Sequence, residues 1–165
     1  MNPLRIAPLA AFLALTPVSA SAQQHIDPFE FFEGRTESQA IVKVLLNKPF
    51  RSHTVGEARM ERDGSLTMVQ TVKDEGKPPH ERRWRVRKTG PGRYSATMSD
   101  ALGPVAIDKV GNRYRFRFKM KGKLAVEQWL TPLPGGASAR NTVKVRKMGV
   151  TVATTEGVIR KVRGK

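Results

Sequence analysis

Over residues 113–121 the chain reads Arg-Tyr-Arg-Phe-Arg-Phe-Lys-Met-Lys, with a cation at every odd position and an apolar residue at every even one. Successive side chains of a strand point to opposite sides, so a period of two marks an extended segment with one dry and one wet face. This stretch is therefore predicted to be the strand around which the domain is built. Tyr114, Phe116, Phe118 and Met120 go to a core, and Arg113, Arg115, Arg117, Lys119 and Lys121 line up on the opposite face.

Related patterns recur along the chain. Phe29, Phe31 and Phe32 read as a plug or short helix that closes one end of the fold and stops at Gly34. Residues 35–46, with Ile41, Val42, Val44, Leu45 and Leu46, suit a buried strand or a short helix; a strand ended by Pro49 is predicted. Phe50, Ala58 and Met60 then oppose Arg51, His53, Glu57, Arg59 and Glu61, and Asp63-Gly64 forms a hairpin turn. Its partner strand, residues 65–73, carries Leu66, Met68, Val69 and Val72, and the acidic, proline-rich tip at 74–79 cannot sit in a ladder. Residues 81–88 set Trp84 and Val86 against Arg83, Arg85 and Arg87, before Gly90-Pro91-Gly92 turns the chain into 94–99. A loop around Asp100 and Gly103, a short strand at 104–110 and a Gly111-Asn112 turn open the central strand. Beyond it, Leu124, Val126 and Leu130 keep the even parity of Phe116 across Gly122, so one strand bent at a glycine kink fits at least as well as two. After the loop at 132–136, residues 139–147 and 150–162 make a last hairpin around Met148-Gly149, rich in Val and Thr.

Short strands, turn signals every ~8 to 12 residues and no strong amphipathic helix describe an all-β antiparallel sandwich or barrel. Charged strands with no helix to cover their edges favour closure, which removes edges altogether. The prediction is a single antiparallel meander closed into a lipocalin-like, calycin-type barrel of roughly eight to ten strands, its interior filled by side chains or holding one small ligand. Alternation alone does not say which face is inside, because an outer-membrane barrel is apolar outward. Few lipid-facing aromatics at the strand ends, no terminal aromatic and frequent Pro and Gly breaks argue against that inversion.

The start of the 165-residue chain reads as a secretory signal: Arg5, an apolar run from Leu9 to Leu15, and the small triplet Ala20-Ser21-Ala22 before Gln23. This divides the chain into a signal peptide, residues 1–22, and one barrel domain, residues 23–165, with cleavage after Ala22. The apolar run is far short of the roughly 20 residues that span a bilayer. A soluble, periplasmic or secreted mature chain without a transmembrane segment is expected. With no cysteine, the sequence offers no disulfide, thiol nucleophile, cysteine metal site or lipid-anchoring cysteine. Thirty Lys and Arg against fourteen Asp and Glu give a formal net charge of +16, which attracts polyanions. Export points this charge toward anionic lipid, glycolipid and acidic glycan. No nucleic-acid partner is expected, since the aromatics alternate into the core instead of mingling with the outer cations as a stacking platform requires.

Several short stretches carry a resemblance. Asp74-Glu75-Gly76 stands before Arg82-Arg83-Trp84, residues 94–103 read Tyr-Ser-Ala-Thr-Met-Ser-Asp-Ala-Leu-Gly, Gln128-Trp129-Leu130 follows, and Asn141 precedes Lys147-Met148-Gly149. In these the chain resembles a proteobacterial family of envelope proteins of unknown function, many of them lipoproteins with a lipocalin-like barrel. The family pattern runs through an acidic-glycine turn before Arg-x-Trp, a Tyr-x-Gly-x-Ala-x-Asp-Val-x-Gly segment, an acidic-Trp-Met and an Asn ahead of Lys-Phe-Gly. The similarity covers residues 31–161 and departs in three places: no lipobox cysteine, Gln128 in place of an acid, and Thr97-Met98 where small residues are usual. It implies a fold and an address, and no activity.

Two groups of side chains carry the functional expectations. The ladders Arg83, Arg85, Arg87 and Arg113, Arg115, Arg117, Lys119, Lys121, if close in the sheet, make a plane suited to phosphate or carboxylate arrays; the plainer account is a solubilising, edge-protecting face. Trp84, Trp129, Tyr94, Tyr114, Phe116 and Phe118 line a ligand cavity or simply form the core. Arg82, Asp100, Glu127 and Asn141 beside them fix a ligand headgroup or hydrogen-bond within the barrel. His25, His53 and His80 are scattered without metal-site spacing, and the sequence has no Gly-x-Ser-x-Gly, phosphate loop or Ser/His/Asp order, so neither metal nor cofactor is expected. Asp74-Glu75 sit on an exposed tip, whereas acid catalysis needs a buried partner.

The expected function is a non-catalytic exported barrel that binds a small amphipathic or anionic ligand inside, or anionic envelope surfaces outside. The alternative is an enzyme acting on a hydrophobic substrate in the same cavity, with Asp100 or Glu127 as base. The intact mass of the exported protein should correspond to a chain starting at Gln23; a mass that still includes Met1 contradicts cleavage.

Overall fold

The computed structural model describes residues 27–162; the signal-peptide expectation for 1–22, the cleavage site and His25 lie outside the described residues. The alternating stretch forms strand β7 (Arg113–Met120), with Tyr114 and Phe116 buried and Phe118 half-buried. The other elements are α1 (Pro28–Phe32), β1 (Gly34–Val44), β2 (Phe50–Met60), β3 (Leu66–Asp74), β4 (His80–Gly90), β5 (Arg93–Met98), β6 (Val105–Val110), β8 (Leu124–Pro132), β9 (Ser138–Lys147) and β10 (Val150–Val162). Each strand pairs antiparallel with the next and β1 pairs with β10, which closes a ten-strand, lipocalin-like meander barrel. Closure leaves no strand with an unpaired flank, which is how ten charged strands avoid pairing with another chain. The outer wall carries the cations, most large apolar residues face inward, and the described residues form no continuous apolar band around the outside. No helix among the described residues is long and apolar enough to cross a membrane.

Gly122 does not bend a single strand. It lies with Lys123 in a tight turn between β7 and β8, at φ 78° and 59°, and Met120 sits opposite Leu124. Opposed residues of an antiparallel pair share a face, and 120 and 124 are both even, so a hairpin here preserves parity as well as a kink does. Several apolar residues expected inside are not; Ile41, at an odd position of β1, faces water. Met60 is exposed at the end of β2, and Leu45 and Leu46 lie past the end of β1, outside the barrel wall. Val69, at an odd position of β3, also faces water, while Leu66, Met68 and Val72 face in.

The core occupies one end of the barrel. Leu66, Val86, Tyr94, Ile107, Tyr114 and Leu130 converge there, and α1 plugs the opening with Phe31 fully buried. Asp27 caps the helix by accepting from the Phe29 amide at 2.8 Å, and Pro28, which has no amide hydrogen to satisfy, begins it. Phe29 packs on Tyr94 with ring centroids 5.4 Å apart, and Phe31 meets Phe32 edge-on at 5.0 Å. Each buried ring contributes about 1.5–3 kcal/mol.

At the closing seam Gly157 of β10 is paired with Ala40 of β1, and a Cβ there would lie 2.3 Å from the Gln39 carbonyl oxygen and 2.6 Å from Ala40 Cβ. Neither neighbour is the end of a flexible side chain. Gly157→Ala is expected to destabilise the barrel by about 1–3 kcal/mol, lowering the midpoint of thermal unfolding by several degrees; an unchanged midpoint would contradict this register.

Candidate functional site

Away from the plug the lumen is unfilled. A cavity of about 260 Å³ occupies it, lined by alternate side chains of every strand except β6. Its floor is Gln70, Trp84, Gln128 and Ile159, which also roof a void of about 50 Å³ above Phe29 and Phe32. Its mouth, at the end opposite α1, includes Val42, Ser52, Asp74, His80, Met120 and Val145. The walls mix apolar surface, from Met98, Phe118, Val126 and Val143, with polar groups.

Three polar pairs organise these walls. Trp84 Nε1 donates to Gln70 Oε1 at 2.9 Å, Gln128 Nε2 donates to Asn141 Oδ1 at 2.8 Å, and Arg82 Nε donates to Asp100 Oδ2 at 2.7 Å. Partial burial pushes the Asp100 carboxyl up. The hydrogen bond and charge of Arg82, with help from the Ser99 hydroxyl and His80, outweigh it and hold the group below the usual carboxylate range. Asp100 is therefore ionised at neutral pH. Asp100 takes up only Nε, which leaves the two terminal nitrogens of Arg82 without a protein partner among the described residues.

The sequence-predicted ligand residues divide into three groups. Arg82, Trp84, Phe118 and Asn141 line the cavity, and Asp100 reaches it through Arg82. Tyr94 and Phe116 lie below the floor in the core; Tyr94 shares a hydrogen bond with Tyr114, and burial pushes both phenols up, Tyr114 the farther. Glu127 and Trp129 point outward instead of lining the cavity. Trp129 Nε1 donates to Glu127 Oε1 at 3.2 Å, and the guanidinium groups of Arg113 and Arg115 lie 4.4 and 5.7 Å over its ring. Both are odd positions of a strand whose even members Val126, Gln128 and Leu130 face in, so parity already excluded them. The same rule points to Gln70, Gln128 and His80, inward positions not among the expected ligand residues. No group of His, Asp and Glu among the described residues is arranged to hold a metal ion.

The two cationic ladders do not form one plane. β5 and β6 lie between β4 and β7, a separation of about 14 Å at the usual strand spacing. Many of their members also face carboxylates. Arg83 meets Glu81 at 2.8 Å, Arg85 and Arg87 share Asp63 at 2.8 and 3.0 Å, and Arg117 and Arg115 approach Asp108 at 2.9 and 3.8 Å. Exposed pairs of this kind add little stability, but they cancel charge locally.

A family model described as protein of unknown function (DUF3833) matches residues 11–161. No curated protein matches the chain. Among solved structures it is similar to the S-type phycobiliprotein lyase CPES from Guillardia theta, with a TM-score of 0.66 and 8% identity over 83% of this chain and 92% of that one. It is also similar to a protein with unknown function from the DUF3598 family of Nostoc punctiforme, with a TM-score of 0.57 and 14% identity over 91% of this chain and 53% of that one. At such identities the likeness is one of fold, a lipocalin-like barrel.

Asp63, which ties Arg85 and Arg87 to the β2–β3 turn, is held at about 2 by the Ser65 hydroxyl and amide, at 2.6 and 3.0 Å, against a small burial effect and with help from the two arginines. Its ordinary value is 3.8, so its contribution to stability is complete above about pH 4 and is lost as pH falls toward 2. Melting temperatures measured from about pH 4 down to 2 should fall more steeply for the wild type than for Asp63→Asn. Parallel profiles would remove Asp63 from this role.

Proposed function

We propose that this chain, which belongs to the DUF3833 family of proteins of unknown function, is a non-catalytic binding barrel that holds one small amphipathic or anionic molecule in its lumen. The observation that carries this is the unfilled upper lumen, with the terminal nitrogens of Arg82 unpartnered at an otherwise mixed wall. A barrel built for stability alone fills its interior to the density of a crystal, because each void forfeits contacts. Here a cavity of about 260 Å³ is kept, room for roughly nine waters, and its walls carry polar groups as well as apolar ones. Trp84, Met98, Phe118 and Val126 offer an apolar flank to a ring or short chain, while Arg82 and the Gln128–Asn141 pair offer donors to a headgroup. A longer molecule fits with its remainder projecting through the mouth.

The catalytic alternative has less support. Arg82 holds the Asp100 carboxyl below the usual range, the wrong direction for a base at neutral pH, and Glu127 stands on the outer wall, away from the cavity. The address we propose is the bacterial envelope. Residues 1–22 are removed after Ala22 and the barrel domain, 23–165, acts in the periplasm or outside. The leader pattern and the resemblance to envelope proteins support that reading.

The two tryptophans make the test direct, because Trp84 lines the lumen and Trp129 is outside it. Titrated with the anionic amphiphile 8-anilinonaphthalene-1-sulfonate, the protein should show tryptophan quenching that survives Trp129→Phe and disappears in Trp84→Phe. Arg82→Gln combined with Asp100→Asn, which strands no charge, should weaken binding about tenfold or more. Quenching that follows Trp129, or binding indifferent to both substitutions, would end the lumen reading. Native mass spectrometry of protein from its own cells should also show a co-purified small molecule.

A further inference from the structure

Five hairpin tips surround the open mouth, and three adjacent ones differ from the rest of the surface: residues 45–49 between β1 and β2, 148–149 between β9 and β10, and 121–123 between β7 and β8. The first two are side by side, because β1 and β10 pair up to Val44 and Ala153 and the Leu45 amide donates to the Val152 carbonyl at 2.8 Å. Lys147 is paired with both Val150 of β10 and Leu124 of β8, which brings the third alongside.

On and beside these tips Leu45, Leu46, Met148 and Val150 are 57%, 98%, 87% and 61% exposed. Among the described residues the other large apolar side chain more than half exposed is Leu102, on the β5–β6 tip of the same rim; the plug end has none. Single exposed apolar residues are ordinary, but four gathered at one spot are not. Turn chemistry does not call for them either. Leu46, Lys123 and Met148 have φ of 65°, 59° and 49°, and they are the non-glycine residues with positive φ among those described, one on each tip. In a two-residue turn such as Met148-Gly149, Asn or Asp takes the left-handed first position at lower cost.

The same segments and the adjoining end of β9 carry Lys48, Lys121, Lys123 and Lys147 and no acidic residue, and none of these four ammonium groups meets a carboxylate among the described residues. The mouth's acids, Asp74, Glu75 and Asp100, belong to the other two hairpins. An apolar tip flanked by lysine is the composition that enters a lipid interface: apolar groups reach the headgroup–acyl boundary while cations stay with the phosphates. A second copy is a poorer occupant, since two such rims would bring lysine against lysine.

The geometry points to these three tips as the device that sets the barrel, mouth inward, on an anionic phospholipid bilayer. Leu45, Leu46, Met148 and Val150 enter the interface and the four lysines engage lipid phosphates. This stands on the rim alone and is independent of what the lumen holds.

The chain has no cysteine, so single-cysteine variants of the full protein can carry a polarity-sensitive fluorophore at one known place. With vesicles of phosphatidylcholine containing about one-third phosphatidylglycerol, a label at Leu46→Cys should shift to the blue and a label at Asn112→Cys, at the plug end, should not. In vesicle flotation, Leu46→Asn with Met148→Asn should bind at least about tenfold more weakly while melting no lower than the wild type, since Asn suits the left-handed backbone better. Lys121→Gln, Lys123→Gln and Lys147→Gln together should cost at least about tenfold, as should raising the salt. The proposal fails if both labels shift alike, if neither shifts, or if the double Asn variant floats as well as the wild type. It fails equally if those Asn changes dissolve a dimer formed without vesicles, which would give the tips to a second copy.

Discussion

The pairing of β1 with β10 is the constraint from which the rest follows. Ten alternating strands have no common inside until the sheet closes, and the seam brings the two so near that Gly157 has no room for a side chain against Gln39 and Ala40. Closure also sets the bore. An eight-strand barrel has an interior its own side chains just fill, and diameter grows with strand number. Ten strands leave more space, which α1 takes up at one end with Phe29, Phe31 and Phe32 and which stays vacant at the other. Plug and cavity are thus two answers to one excess of width.

The outer surface shows how little a net charge says about where charge is available. The arginines of β4 and β7 are the most conspicuous cations in the sequence, yet Asp63, Glu81 and Asp108 face five of them and Trp129 lies under Arg113. Lys48, Lys121, Lys123 and Lys147, on and beside three of the hairpin tips, are less conspicuous and have no such company among the described residues. Cations without a carboxylate partner among the described residues therefore stand at these tips, next to the most exposed apolar side chains.

Parity along single strands was legible in the sequence, and it placed Tyr114, Phe116, Trp84, Val86 and the two cationic ladders on their faces. It was silent wherever two arrangements share it, as at Gly122, where a hairpin and a kink give the same odd and even sets. Trp129 shows a different failure. Its position in β8 already put it outside, but the expectation that an aromatic belongs with other aromatics overrode the alternation. The partners of Arg85 and Arg117 lie in other strands or turns, and their nearness depends on register, which no local pattern carries. Nor did composition reveal Leu45 and Leu46 at a tip, since a short apolar run reads alike as buried strand and as exposed turn.

Because α1 stoppers the bore below the cavity, the molecule is a cul-de-sac rather than a conduit. Whatever enters must leave by the same doorway, so loading and unloading compete for a single threshold and neither can proceed while the other occupies it.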